Sequence, residues 1–325
     1  MNVLLTSAGR RVSLLKAFKD VTHQQNGRVF AGDVDSLAPT LYFADQSLRL
    51  PRIDDSAYIP SLKEIVENHH IKLIVPTIDS DLLILAREAS DFRRIGCEVL
   101  VSSCDLINSC QDKWEFVRLF EKNGFLVPRS WLPKEIAKAQ TQTSLPTNLF
   151  IKPRGGSASK DSYRVHRDDL STLLPQVPNP IVQKEIKAPE ITIDALLDFE
   201  GKPIHFVPRF RIRTLAGESI QGSTFADADL ADWILRLLEA VATLGGKGPI
   251  TIQAFLTNGQ PTLSEINPRF GGGFPLTLAA GGDYPEWIMQ MVAGKTVKPK
   301  IGNYTKNLYM TRYHEEIFLE KPKWD

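Results

Sequence analysis

The chain has 325 residues, 42% of them hydrophobic and 24% charged, a balance expected of a globular protein of two or three domains with its own hydrophobic cores. A net charge of +1 gives no field toward nucleic acids or anionic membranes, so polynucleotide binding is set aside as the main role. The three cysteines, Cys97, Cys104 and Cys110, are odd in number and match no zinc spacing, which fits free thiols in a reducing cytoplasm.

No apolar run reaches the length of a membrane span, and the opening MNVLLTSAGRR reads as a first strand rather than a signal peptide. Over the first hundred residues short β-branched runs alternate with helical patterns. Strands are predicted at 2–6, 28–32, 72–75 and 97–101, and helices at 10–19, 61–69 and 79–89. This alternation implies a parallel sheet with helices on both faces. Helices are then predicted at 112–122, 132–139 and 167–174, with short strands near 150–152 and 162–165. Pro175, Pro178 and Pro180 punctuate the end of that stretch. From residue 181 longer alternating strands follow, at 181–185, 191–197, 204–213 and 219–225. A helix at 227–243 comes next, then a hairpin of 250–256 and 261–267 around Asn258-Gly259, and a helix at 285–292. The last part reads as a mainly antiparallel sheet. The expected class is thus α/β and α+β.

Chemistry-bearing residues fall in three places. In TIQAF and LSEINPR, Gln253, Glu265 and Asn267 offer a carboxylate and two amide oxygens, a hard donor set suited to magnesium. Glu265 and Asn267, two apart, share a strand face, and Arg269 points the same way if the strand continues. In FIKPRGGSASK, a strand delivers Lys152 to a loop containing Gly155, Gly156 and Ser157, where backbone can approach phosphates closely. The lysine precedes the glycines, so this is not a Walker motif. In IVQKEI, an apolar strand runs into Lys184, Glu185 and Ile186, whose backbone could read an adenine edge, with Glu190 placed for ribose hydroxyls. Arg209, Arg211 and Arg213 alternate on one predicted strand and so share a face. Like charges there repel unless anions lie opposite, which makes Arg211 a candidate anion clamp. The loop Thr6–Arg11 ends at a helix N-terminus that could take an anion, yet lacks the GxGxxG pattern of a dinucleotide site. Asp33, Asp35, Asp79 and Asp81 follow parallel strands, where ligands tend to bind; capping is the equal alternative for Asp79.

Taken together, Lys113 on a helix, Lys152 before the glycine loop, QKEI with Glu190, and Gln253, Glu265 and Asn267 resemble, in order and spacing, the ATP-grasp superfamily. The nearest resemblance is to the ATP-grasp module of carbamoyl-phosphate synthase large subunits, and SEINPRFGGG is its most specific segment. The resemblance implies a Rossmann-like pre-ATP-grasp domain at 1–110, a small lid subdomain at 111–180 and a C-terminal antiparallel-sheet subdomain at 181–325. It implies an ADP-forming carboxylate–amine ligase acting through an acyl phosphate, with ATP and magnesium (one or two ions, manganese able to substitute). It further implies that Lys113 and Lys152 contact the phosphates and that the loop 155–159 closes over them. Lys184, Glu185 and Ile186 would hold adenine, Glu190 ribose, and Gln253, Glu265 and Asn267 the metal, with Arg269 assisting at the γ-phosphate or substrate. A homodimer is compatible with the family, and the expected partners are a small carboxylate and an amine. The glycine loop is shorter than the synthase's, with Lys160 and Asp161 where more glycine is usual, and a single unit stands where the synthase has two. A split-synthase subunit and a non-catalytic ATP-binding regulator are the alternatives.

Overall fold

Alternation along the first strand organises the N-terminal third. In the computed structural model, which describes residues 1–136, 145–156, 161–215 and 218–324, β1 (Asn2–Thr6) is the centre of a five-stranded parallel sheet. The order is β3-β2-β1-β4-β5, with β2 Val29–Asp33, β3 Gln46–Arg49, β4 Ile71–Pro76 and β5 Glu98–Val99. Period two sends Val3 and Leu5 to one face, covered by Leu14, Leu15 and Phe18 of α1 (Val12–Gln24). Leu4 goes to the other face, against Leu62 of α2 (Tyr58–Asn68) and Leu82 and Leu85 of α3 (Asp79–Arg94).

Two capped helices lead out of this sheet. Ser103 Oγ accepts from the Leu106 N–H at the start of α4 (Cys104–Gln111), and Asp112 caps α5 (Lys113–Lys122) by accepting from Trp114 and Glu115. A four-stranded antiparallel sheet follows in the order β6-β9-β7-β8, with β6 Ser130–Trp131, β7 Asn148–Pro153, β8 Tyr163–His166 and β9 Pro180–Lys184. The helix expected at 132–139 is described only through residue 136. The one expected at 167–174 is split into 3-10 turns around α6 (Leu170–Leu173), with Pro175 in the second turn.

The third sheet carries the polar residues of interest. Its six strands run β14-β13-β10-β11-β12-β15, with β10 Glu190–Leu197, β11 Pro203–Leu215, β12 Glu218–Thr224, β13 Gly248–Thr257, β14 Gln260–Asn267 and β15 Tyr309–Thr311. On one face Ile191, Ile193, Ile252 and Ile266 pack against Trp233, Ile234, Leu237 and Leu238 of α7 (Ala228–Thr243). Alternation therefore sends Glu190, Thr192, Asp194, Thr251, Gln253, Glu265 and Asn267 to the opposite face. Asn258 and Gly259, at φ 50° and 79°, form the turn that fixes the β13–β14 register. Two short helices, α8 (Phe274–Ala279) and α9 (Tyr284–Val292), close the polar side, and α9 packs on α1 in the core beneath the parallel sheet.

One expectation on this sheet is corrected. The register of β11 against β12 jumps from Arg211↔Gly222 to Arg213↔Gln221, so Ile212 is an extra residue in the strand. That bulge turns Arg213 off the face shared by Arg209 and Arg211 and leaves it exposed. Among the described residues no helix is long and apolar enough to cross a membrane, and Cys97, Cys104 and Cys110 are free thiols.

Candidate functional site

The hairpin β13–β14 places three oxygen donors side by side. Gln253 pairs directly across from Glu265, and Thr251 across from Asn267. Asn267 Nδ2 donates to Glu265 Oε1 at 2.9 Å, so the amide oxygen of Asn267 and the carboxylate of Glu265 lie together. Arg211 Nη1 donates both to Glu190 Oε1 and, at 3.1 Å, to Gln253 Oε1. The guanidinium is thus a strut between the start of β10 and the donor set.

Two ammonium groups lie within the electrostatic field of this patch. Burial pulls Lys152 down to about 8, with Lys113 adding to the effect and the carboxylates Glu265 and Glu190 opposing it. Lys113 is lowered too, by burial first, against the fields of Glu265, Asp112 and Asp79. Each lysine therefore feels Glu265, which puts both within electrostatic reach of the hairpin. Lys113 Nζ donates to the carbonyl of Gly156 at 2.9 Å and, more weakly, to those of Arg154 and Gly155 at 3.4 Å. Arg154 in turn pairs with the capping Asp112 at 2.6 Å. The start of the glycine loop is thereby held on the N-terminus of α5. Gly156 sits at φ 86°, a conformation that requires glycine. Ser157, with the rest of the loop through Lys160, lies outside the described residues.

At the end of β9 the backbone N–H groups of Lys184 and Glu185 are taken by the carbonyls of Arg129 and Asn148. The N–H of Ile186 has no protein acceptor among the described residues. The Glu185 side chain turns to Arg164, 3.3 Å away.

Past Asn267 the chain leaves the strand, and Arg269 points to the N-terminal sheet. It makes a two-pronged pair with Asp79, at 2.8 and 2.7 Å, and reaches Asn267 Oδ1 at 3.5 Å. Asp79 is therefore not a helix cap: Ile78 occupies that position and Asp79 lies in the first turn of α3. Nearby, buried Asp81 is pushed up to about 6 by desolvation, with the hydroxyls of Thr6 and Ser7 donating to it at 2.8 and 3.0 Å. These bonds hold the Ser7 turn, at φ 48°, that leads into Arg11.

A further set of charges was not evident from the sequence. Asp194 Oδ2 accepts from Arg209 Nε at 2.9 Å and from Thr277 Oγ1 at 2.7 Å, with both ionic side chains 3% exposed. Gly271, Gly272 and Gly273 have ordinary negative backbone angles, so space explains them. A Cβ on Gly273 would lie 2.3 Å from the Arg209 guanidinium, and one on Gly271 would lie 2.8 Å from Thr251 Oγ1. Gly273 gives clearance to the Arg209 head, and Gly271 and Gly272 to Thr251, Asp194 and Glu218. Only the density of Arg and Gly around residues 269–273 could have signalled this.

Comparisons with known proteins agree with this fold. Residues 3–100 match the family described as PylC-like, N-terminal domain, and residues 176–315 match that described as ATP-grasp in the biosynthetic pathway with Ter operon. Biotin carboxylase from Campylobacter jejuni, in complex with β,γ-ATP, superposes with a TM-score of 0.74 at 16% identity, covering 95% of this chain and 74% of that one. The chain has the ATP-grasp fold, and its residues 176–315 match an ATP-grasp family. Other structures that superpose are L-amino acid ligase from Bacillus licheniformis and N5-carboxyaminoimidazole synthetase from Staphylococcus aureus. The first gives a TM-score of 0.69 at 17% identity, covering 92% of this chain and 77% of that chain. The second gives 0.72 at 15%, covering 92% and 78%. Among curated proteins none matches the chain.

Within this ATP-grasp fold Lys113, Lys152, Glu190, Arg211, Gln253, Glu265 and Asn267 converge on one polar patch, and Arg269 borders it. Lys184, Glu185 and Ile186 follow β9, a neighbour of the strand that carries Lys152. Gly155 and Gly156 lie at the Lys113 ammonium. The clustered carboxylate and amide oxygens make a hard set that fits magnesium, without the three grouped acidic, His or Cys side chains of an all-protein metal cage among the described residues.

Proposed function

We propose that the protein is an ADP-forming ligase that activates a small carboxylate with ATP and joins it to an amine. The observation that supports this reading is the clustering of Glu265, Asn267 and Gln253 on one sheet face, with Lys113 and Lys152 within the field of Glu265. Glu265, Asn267 and Gln253 would hold magnesium, which when bound supplies positive charge to the phosphate oxygens.

The protein's own groups position and neutralise. Lys152 and Lys113 bring positive charge to the phosphates. Because Lys113 also donates to the Gly156 carbonyl, it couples the loop to that charge. Glu190 would accept the ribose hydroxyls, and Arg211 holds Glu190 and Gln253 at a fixed separation, tying the adenosine end of the site to the metal end. The free N–H of Ile186 is a donor for an adenine ring nitrogen. Arg269, fixed by Asp79, would orient the carboxylate. A carboxylate oxygen attacks the γ-phosphorus, the bond to the bridging oxygen breaks and ADP departs. The amine nitrogen then attacks the acyl carbon, phosphate leaves, and the amine gives up a proton. No covalent protein nucleophile is used; the gain comes from positioning and charge neutralisation. The units 1–110, 111–180 and 181–325 would act as base, lid and metal-bearing body, in a chain working as monomer or homodimer.

The test is an ADP-release screen over amino acids, bicarbonate and small carboxylates, with and without amines, at millimolar magnesium. Carboxylate-dependent ADP release that rises with an amine supports the reading. Tight nucleotide binding with no ADP from any mixture would instead favour a regulator.

Lys152 gives a pH-linked prediction. In the free protein it is held at about 8, so near pH 8.5 much of it is neutral. A bound phosphate chain favours the charged form and raises that value, so nucleotide binding there should take up roughly 0.5–1 proton. Calorimetry in two buffers of different ionisation enthalpy measures this uptake, and Lys152→Met should remove it. Identical heats in both buffers would show that Lys152 does not meet the phosphates.

A further inference from the structure

Four guanidinium groups converge on the segment Phe270–Gly273. Arg269 Nη1 donates to the Phe270 carbonyl at 3.0 Å, and Arg312 Nη2 donates to the Gly272 carbonyl. Arg209 lies under Gly273, and Arg11 Nη1 is 3.4 Å from where a Cβ on Gly272 would stand. Three carboxylates answer them: Asp79 pairs with Arg269, Asp194 with Arg209 and Glu218 with Arg312. Arg11 is the fourth, and among the described residues no carboxylate lies within ion-pair distance of it. Of its five donors one is engaged, at 3.5 Å to the Thr77 carbonyl. Arg209 Nη1, in a residue 2% exposed, also lacks an acceptor. The local balance is one positive charge in excess in a partly buried place. Burial, and then the field of Arg269, pull Arg11 down to about 10 against the opposing fields of Glu218 and Asp79.

A guanidinium without an anion, one ion pair away from the metal-side residue Asn267, is placed to receive one from a ligand. The geometry points to Arg11 as the receptor for a second anionic group on the substrate. The substrate class is then a short acid carrying two anionic groups: the carboxylate activated beside Arg269, and a further carboxylate or phosphate held by Arg11. This rests on the proposed ligase reading and narrows it. Asp81, through Thr6 and Ser7, is the positioning residue for the turn that presents Arg11.

The experiment measures binding of succinate, glutarate and 3-phosphoglycerate against the half-amide succinamate, at constant ionic strength with Mg–ADP present, by calorimetry. The wild type should prefer a dianionic probe over succinamate by about 10- to 100-fold. Arg11→Gln should reduce that preference to about twofold or less, while Arg11→Lys keeps part of it. Better binding of succinate or glutarate assigns a carboxylate, and better binding of 3-phosphoglycerate a phosphate. Affinity for Mg–ADP reports that each variant is folded. No preference in the wild type, preference retained in Arg11→Gln, or no binding of any probe overturns the inference. If Mg–ADP binds and ADP is released with some monocarboxylate, the inference falls and the ligase reading stands. If Mg–ADP itself does not bind, the ligase reading falls.

Discussion

Glu265→Gln should lower ATP-dependent ADP release by roughly 10²–10³-fold. The substitution keeps the side chain's size and its place opposite Gln253 but removes the carboxylate charge among the three oxygen donors of the hairpin. Metal-borne stabilisation of phosphoryl charge is worth several kcal/mol, and each 1.36 kcal/mol is about a tenfold change in rate. The loss should be accompanied by a weaker apparent affinity for magnesium in a metal titration. Glu265→Gln is also expected to lower Lys152 further, because Glu265 is the largest influence holding that lysine up. Normal turnover and an unchanged metal titration in this variant would show that the metal is held elsewhere.

The largest expected stability effect lies at Asp194. Asp194→Ala should destabilise the fold by about 3–5 kcal/mol in urea unfolding, because it strands the Arg209 charge in the interior. It also removes the acceptor for Thr277 and for Thr251, at 3.4 Å. Replacing both partners together, Asp194→Leu with Arg209→Met, should recover most of the loss, since the desolvation cost of two ions disappears with the pair. A single-variant loss below about 1 kcal/mol would mean that the pair is solvated and does not cement α8 to the sheet.

What was legible in the sequence follows from the range of the interactions. The alternating elements of the first hundred residues rest on local periodicity, and apart from the edge strand Gln46–Arg49 the strand–helix pattern read there is the one observed. Glu265 and Asn267 were readable as one face because period two is a property of a single strand. Edge strands were lost: Gln46–Arg49 and Tyr309–Thr311 are short, and mostly exposed or half-buried, so their pattern is weak. The helix Phe274–Ala279 was hidden behind three glycines that read as loop, although they give clearance to packed side chains, Arg209 at Gly273 above all. Helix Cys104–Gln111 carries polar residues on several sides, with Leu106 and Ile107 as its buried anchors, and offered little periodicity. Arg213 was misplaced because a single extra residue, Ile212, shifts the alternation, and nothing local in RFRIR announces it. The pair Arg269–Asp79 joins residues 190 positions apart, a contact that only the fold reveals. Asp79, Arg11, Asp194 and Glu218 therefore could not be assigned partners from the chain alone.

Gln253, Glu265 and Asn267 share their strands with Ile252, Ala254 and Ile266, whose side chains are buried on the reverse face. Binding oxygens and greasy underlay are thus interleaved, one residue apart, on the same two ribbons. A sideways step of one residue would drive a carboxylate into the oily layer and lift an isoleucine onto the polar face. Foldedness and competence are for this reason hard to separate here. A chain that threads this ribbon correctly has, by the same act, set Gln253, Glu265 and Asn267 on one face.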